Sequence, residues 1–319
     1  MATVTAPMSL TIAPQQMSIF IGSFLFITGI IGGCLVLVVF LSLKTFRQSS
    51  CAFYLTIKSV GNICYLLVGL FPFIMNNGFG VSWTSMSLVF CKFRVFYVQL
   101  GGLVSVTCSC LAAIDQFLAT CSNPRWHRWN TIKVARNVVV GIIIAWTLYA
   151  MPSLILFAHT RSPTTGRISC NTINAAYITF YNFVHVTVIL SSLPAVIMTL
   201  FGLLAYWNVR HIAYRTVPLV RRELDKQLTS MVLVQVVYEV IFLLTTTVQT
   251  IFNALIGTPT DPYTIAVVNL VRNLITLLYY FDFVVKVDSL FIYQKRCVFC
   301  IFRAHSTYMC AYLNGFVNR

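Results

Sequence analysis

The sequence predicts an all-α membrane protein: a bundle of seven transmembrane helices followed by a short amphipathic helix at the C-terminal end. Three observations predict it: seven long apolar runs, basic residues concentrated in alternate connections, and a composition too apolar for water. Of 319 residues, 58% are hydrophobic and 9% charged, whereas a soluble domain is charged at about a quarter of its positions. Hydrocarbon supplies no hydrogen-bond partners, so a spanning segment must satisfy its own backbone, and a helix of about 20 apolar residues does so. The strict alternation of a lipid-facing barrel strand is absent.

The runs are Ser18–Leu43, Cys51–Met75, Leu88–Thr120, Ile132–Phe157, Ala175–Tyr206, Gln227–Leu255 and Tyr263–Tyr293. Ahead of them Met1–Met17 is an uncharged outer tail without the basic start of a cleavable signal. The first run therefore reads as a signal anchor, residues 18–293 as one membrane domain, and residues 294–319 as a cytosolic tail. Asn76–Thr84 forms an outer turn with Trp83, and His159–Asn174, with Pro163 and Gly166, forms the longest outer loop. The connection at about Asn208–Lys226 is short, so helices five and six are expected to extend beyond the bilayer. After Tyr293 the stretch QKRCVFCIFR mixes basic and apolar residues at helical spacing. It suits a helix lying on the inner leaflet, with Cys297 and Cys300 as palmitate acceptors.

The net charge of +15 is a topology signal and not a nucleic-acid footprint. Lys44 and Arg47 follow the first run, Arg125, Arg128, Lys133 and Arg136 lie around the third-to-fourth connection, and Arg210, Arg215, Arg221, Arg222 and Lys226 follow the fifth run. Lys295, Arg296, Arg303 and Arg319 follow the seventh, while the alternate connections hold Lys92, Arg94, Arg161 and Arg167. The positive-inside rule then puts the N-terminus outside and the C-terminus in the cytosol. Each basic residue near anionic lipid contributes on the order of 1 kcal/mol, enough in sum to hold this orientation. Most cysteines fall in spans or on the cytosolic side. Cys91, at the outer end of the third run, and Cys170, in the longest outer loop, share the oxidising side. Their pairing would pin that loop over the bundle mouth; two unpaired thiols are the other reading.

Cys91, the triplet Asp115-Gln116-Phe117, Trp146 in the fourth run, Pro194 in the fifth and Tyr293 closing the seventh stand in the register of one family. Over nearly its whole length the chain resembles the rhodopsin-like (class A) G protein-coupled receptors. The stretch KTFRQSSCAFYLTIKS after the first run looks like that of invertebrate peptide-receptor relatives. The resemblance implies a multi-pass plasma-membrane receptor that senses an extracellular ligand and signals through a heterotrimeric G protein. It implies an activation motif of Asp115, Gln116, Phe117, Asp225 and Tyr293.

Several positions depart from the family pattern. Gly33 stands for the first-helix asparagine, Asn62 for the second-helix aspartate, Thr245 for the sixth-helix proline, and Ser289-Leu290-Phe291-Ile292-Tyr293 for the Asn-Pro-x-x-Tyr ending. Gln116 replaces an arginine that in the family pairs with an acid on helix six, here Asp225. A neutral amide can still hydrogen-bond, more weakly than a charged group. A looser inactive state and poor G-protein coupling are the two outcomes this permits. The second would make the chain a signalling-deficient scaffold or decoy.

Charged residues within the runs each invite a reason, since a charge at a helix centre costs about 2.5–3.5 kcal/mol on insertion scales. Asp115 and Lys58 lie toward the cytosolic ends, where snorkelling or a local hydrogen bond suffices. Glu239, Asp282, Lys286 and Asp288 lie deeper. Asp282 and Lys286 sit at i, i+4 spacing on one face. One reading makes a polar cluster of Asn62, Glu239, Asp282 and Lys286, with the Lys286 ammonium standing where related receptors hold sodium. The other is a plain intrahelical ion pair.

On the ligand side, Val98 occupies the place of the aspartate that amine receptors use, and Phe283 the place of the opsin retinal lysine, which argues against both ligands. Phe96, Val98, Gln99, Gly102, Tyr177, Tyr181, Gln249 and Arg272 are the pocket candidates, and a peptide is the ligand expected. Interhelical packing is the alternative role for most of them, and Arg272 could equally snorkel to the interface. No HExxH, P-loop, GxSxG or paired-carboxylate motif marks an enzyme. The histidines are scattered, and no metal or cofactor is expected. Paired Gly/Pro breaks in matching halves, the mark of a small transporter, are also missing. An epitope inserted in the Arg210–Lys226 connection should be reached by antibody only after permeabilisation, and one before Ser18 on intact cells; the reverse result refutes the orientation.

Overall fold

The computed structural model describes residues 8–42, 47–121, 124–127, 129–161, 168–172, 174–211, 219–256, 261–281 and 283–284. Among them, seven helices are long and apolar enough to cross a membrane. They are α1 (Met8–Ser42), α2 (Ser50–Phe79), α3 (Leu88–Thr120), α4 (Ile132–Leu156), α5 (Ala175–Arg210), α6 (Leu219–Ile256) and α7 (Pro262–Phe281). A two-stranded antiparallel sheet of β1 (Phe157–Arg161) and β2 (Ile168–Thr172) links α4 to α5, with His159 opposite Cys170.

The exposed faces of the helices are as apolar as the interior. Phe20 is 73% exposed and Ile155 77%, and Phe24, Val140, Leu148 and Val196 face outward with them. Such residues are stable there because the surrounding solvent is hydrocarbon. Apolarity therefore does not hold the helices together. Close packing and internal polar contacts must. On α1, a Cβ built at Gly29 would lie 2.6 Å from Leu66 Cδ1 and 3.0 Å from Val284 Cγ2. The missing side chain thus lets α1 seat directly on α2 and the end of α7. Gly33 serves in the same way against Ile63.

α1 begins at Met8, ahead of the apolar run at Ser18, because its first turns are fastened to neighbours. Gln15 Nε2 donates to the Gly78 carbonyl at 2.9 Å. Asn273 on α7 donates to the Pro14 carbonyl at 2.9 Å and accepts from Ser18 Oγ at 3.0 Å. α2 also outruns its predicted end. It continues to Phe79 and stops at Gly80, whose φ of 71° is the left-handed cap that glycine adopts without strain.

Two spans carry wide, π-type turns just ahead of a proline. In α2 the turn is Leu66–Leu70, before Pro72. A proline offers no N–H and crowds the carbonyl four residues back, here Val68. Arg94 on α3 satisfies the loosened turn, its Nε donating to Val68 O and its Nη2 to Gly69 O, both at 3.2 Å. In α5 the wide turns run from Phe180 to Ser192, before Pro194. There Thr187 and Ser192 hydroxyls donate to carbonyls five residues back, Asn182 O at 3.0 Å and Thr187 O at 2.7 Å.

α3 is the central helix, packing against α2, α4, α5 and α6. Trp146 on α4 donates its indole N–H to Thr107 Oγ1 at 3.0 Å. α5 and α6 are joined by Ser191 Oγ, 2.6 Å from both the Leu243 carbonyl and Thr247 Oγ1. Without a proline, α6 runs unbroken past Thr245, whose hydroxyl back-bonds to Ile241 O at 2.9 Å.

Candidate functional site

The polar side chains of the bundle collect along α3. Gln99, Gly102, Ser105, Ser109 and Gln116 stand one or two helical turns apart, so helical geometry places them on one stripe. All five are buried. The stripe meets other helices at three levels.

At the end of the bundle that carries the sheet, Cys91 is bonded to Cys170, with Cα atoms 5.7 Å apart. The bond ties β2 to the start of α3. His159 on β1 contacts the Thr84 carbonyl through Nε2 at 2.7 Å, fastening the hairpin to the α2–α3 connection as well.

Below the sheet, Tyr177, Tyr181 and His185 follow one face of α5 at i, i+4 spacing. The Tyr181 and His185 rings are 4.8 Å apart, and Tyr149 on α4 closes the group with its hydroxyl 3.3 Å from His185 Nδ1. Gln99, 3% exposed, faces this aromatic wall through Tyr177. Its Oε1 has no hydrogen-bond partner among the described residues. On the other side of α3, Tyr65 stacks on Phe283 at 4.5 Å and reaches Tyr279, hydroxyl to hydroxyl, at 3.3 Å. Between the two groups, a Cβ at Gly102 would meet Leu190, Tyr65 and Tyr279 only at 3.6–3.9 Å.

The pocket candidates therefore divide. Gln99 meets Tyr177, whose ring lies 6.4 Å from that of Tyr181, while Gly102 faces Leu190, Tyr65 and Tyr279. Val98 turns away to pack with the cluster around Leu25, Tyr65 and Leu277, Phe96 is half-buried, and Arg272 is exposed. Gln249 lies on α6, but its side chain is outside the described residues. Tyr149, His185, Tyr65 and Tyr279 were missed. The i, i+8 relation of Tyr177 to His185 was the readable signal for one of them. The others depend on which helices adjoin, which spacing within one helix does not encode.

At mid-depth Lys58 and Glu239 form a buried ion pair between α2 and α6. Nζ lies 2.8 Å from Oε2, with the lysine 3% exposed and the glutamate 1%. Ser109 joins them from α3: it accepts from the Lys58 ammonium and donates to Glu239 Oε1 at 3.0 Å. One turn along, Ser105 Oγ donates to Asn62 Oδ1 at 2.7 Å. Lys58 was expected to snorkel or to bond locally. It does not snorkel: it hydrogen-bonds to Ser109 and pairs with Glu239, whose carboxylate stands within reach of its extended stem and offsets the cost of the charge in hydrocarbon. Asn62 and Glu239 thus share one polar cluster through Ser105 and Ser109. Asp282 and Lys286 lie outside the described residues.

At the opposite end of α3 from the disulfide, Gln116 accepts from Thr229 Oγ1 of α6 at 2.8 Å, both residues buried. Asp115 accepts from Ser50 Oγ of α2, which is 2.7 and 2.9 Å from its two oxygens. Asn130, after α3, donates to the Asp115 carbonyl at 3.4 Å and contacts the same serine. Phe117 packs on Phe201 of α5, ring centroids 5.5 Å apart. The side chain of Asp225, and Tyr293, Cys297 and Cys300, are outside the described residues.

The model of the 7 transmembrane receptor (rhodopsin family) matches residues 32–285 of this chain. No curated protein matches it. Cys91→Ser and Cys170→Ser should each lower stability by about 2–5 kcal/mol and reduce surface abundance, read by thermal unfolding in detergent and by surface labelling. The double variant should be no worse than either single one, since both remove the same bond.

Proposed function

Because the chain belongs to the rhodopsin family of seven-transmembrane receptors, we propose that it is a peptide receptor whose coupling to its G protein is altered at Gln116. Family membership makes it a multi-pass plasma-membrane receptor that passes an extracellular signal to a heterotrimeric G protein. The peptide, the orientation and the consequence of Gln116 are the proposed parts.

The carrying observation is Gln99, a buried amide that meets Tyr177 and whose Oε1 has no partner among the described residues. A desolvated acceptor left unpaired costs about 1–3 kcal/mol, and a ligand that brings a donor recovers it. Backbone N–H groups are such donors, and a peptide presents several beside apolar and aromatic side chains. The walls suit this: Tyr177, Tyr181, Tyr149 and His185 offer ring faces, with the disulfide-tied hairpin at the same end of the bundle. Val98, by contrast, supplies no carboxylate for a monoamine. The basic residues at the other end, Arg125, Lys133, Arg136 and Arg210 among them, support placing that end in the cytosol.

At that inner end Gln116 and Thr229 make a neutral hydrogen bond between α3 and α6. In this reading, ligand binding shifts a two-state bundle toward the arrangement in which the inner ends separate and admit the G protein. The same neutral bond favours a second reading, a decoy or scaffold that binds its ligand and signals poorly, because the residue expected to meet the G protein carries no charge.

One experiment separates them. Wild type, Gln116→Arg and Gln99→Leu are expressed with a panel of G proteins, and activation is measured at rest and with a peptide extract, intact or protease-digested. A wild-type response lost on digestion supports the peptide receptor, and Gln99→Leu should then weaken it by about tenfold at unchanged surface abundance. A response confined to Gln116→Arg supports the decoy.

A further inference from the structure

From the geometry at mid-depth we propose that Lys58 and Glu239 form an interhelical latch that sets the resting position of α6, with Ser109 as its fixed seat. The proposal rests on the two-state reading above for its link to signalling, though not for its geometry.

α6 is held at three heights by different chemistry. One to two turns beyond Glu239, toward the sheet-bearing end, it is hydrogen-bonded to α5 through Ser191, Leu243 O and Thr247. At the other end Thr229 and Gln116 hold it to α3 by one neutral hydrogen bond. Between them the Lys58–Glu239 pair holds it to α2 by full charges. Ser109 makes the pair a three-helix junction, since its hydroxyl contacts both the ammonium and the carboxylate. α3 is thereby the reference against which α2 and α6 are registered.

A buried pair of this kind behaves as a switch, not a spring. In a low-dielectric interior, charges drawn apart lose their mutual attraction while remaining desolvated. Small separations are therefore steeply opposed, and the pair opens only if water enters or the ions find other partners. An element gripped in this way has two discrete positions, which is what a two-state helix motion requires. The neutral contact at Gln116 is a weaker fastening, so the charged pair dominates among these interhelical contacts. Ser109 can serve either polarity, because its hydroxyl both donates and accepts. A reversed pair should therefore close as well as the native one.

The test uses the full-length protein in nanodiscs, with fluorescent amino acids incorporated at Cys121, after α3, and at Arg222, in the first turns of α6. The distance between them is measured alongside basal nucleotide exchange on added G protein. Lys58→Met and Glu239→Gln should each move a new fraction of molecules to a longer distance and, if the receptor couples, raise basal exchange by at least about fivefold. The double exchange Lys58→Glu with Glu239→Lys should return the distance to that of wild type. Lengthened distances without any change in exchange support the latch and count against coupling. Unchanged distances in folded single variants overturn the latch, as does a swapped pair that folds but stays open. Single variants that unfold while the swap folds overturn it too, for the pair is then a packing element that cannot open.

Discussion

A polar group in this bundle can find a partner only inside the protein, because the surrounding hydrocarbon offers none. That constraint organises the structure more than apolar contact does: lipid tails are as good a solvent for leucine as another helix is. The contacts between helices are accordingly the polar ones and the close ones. Trp146 reaches Thr107, Ser191 reaches the α6 backbone, Asn273 reaches Pro14, and Gly29 and Gly33 bring α1 onto its neighbours. Arg94 shows the constraint at a defect. The proline at position 72 loosens the turn before it, and the guanidinium from α3 takes up the loosened carbonyls. The wide turn costs little because its partner is built in.

The Lys58–Glu239 pair is the most demanding case. Desolvating each ion carries a penalty of several kcal/mol even after relaxation, and the attraction between them offsets it only with close geometry and further hydrogen bonds. Both conditions are present: a 2.8 Å contact and a serine bonded to both groups. An apolar pair of similar volume would pack here at no loss of stability, and often with a gain. Stability alone therefore gives no reason for charges at this depth. They make sense where α6 must hold one position firmly and leave it completely.

How much of this was legible in the sequence follows from the range of each signal. The spans were legible because apolar length is a local property, and α3, predicted as Leu88–Thr120, has those bounds in the structure. Helix ends were less so. α1 and α2 run on past the apolar edges because capping glycine and hydrogen bonds to other helices decide where they stop. The strands Phe157–Arg161 and Ile168–Thr172 stood inside stretches read as the end of α4 and a loop, since strand pairing in such short segments depends on what they are tied to, here Cys91. Arg94 was counted with the outer connections, and Lys58 was expected to snorkel or to bond locally. Neither the α2 carbonyls that Arg94 meets nor the Glu239 carboxylate was foreseen, for one reason. A long basic side chain is drawn to whatever acceptor lies within its reach, and that acceptor belongs to another helix. Of the pocket candidates, Tyr177 and Tyr181 lie together because they share a face of one helix, which spacing does report.

The same stripe on α3 that carries Gln99 carries Ser105, Ser109 and Gln116, so one rigid element touches the unpartnered acceptor, the ion pair and the neutral contact to α6. Contiguity of this sort is not by itself coupling. It does mean that a small rotation of α3 alters all three levels at once, because a rigid helix cannot move one of its faces alone. The placement of charge along the stripe has a further consequence. An ion pair at the rim of the bundle, half in water, would be screened by salt and would contribute about 0–1 kcal/mol. At Gln116 a neutral hydrogen bond stands instead, and the full charges lie in the interior, where screening is slight. The strongest electrostatic restraint on α6 among the described residues is thus placed where ions in the surrounding solution reach it least. A motion of α3 is mechanically well placed to reach it.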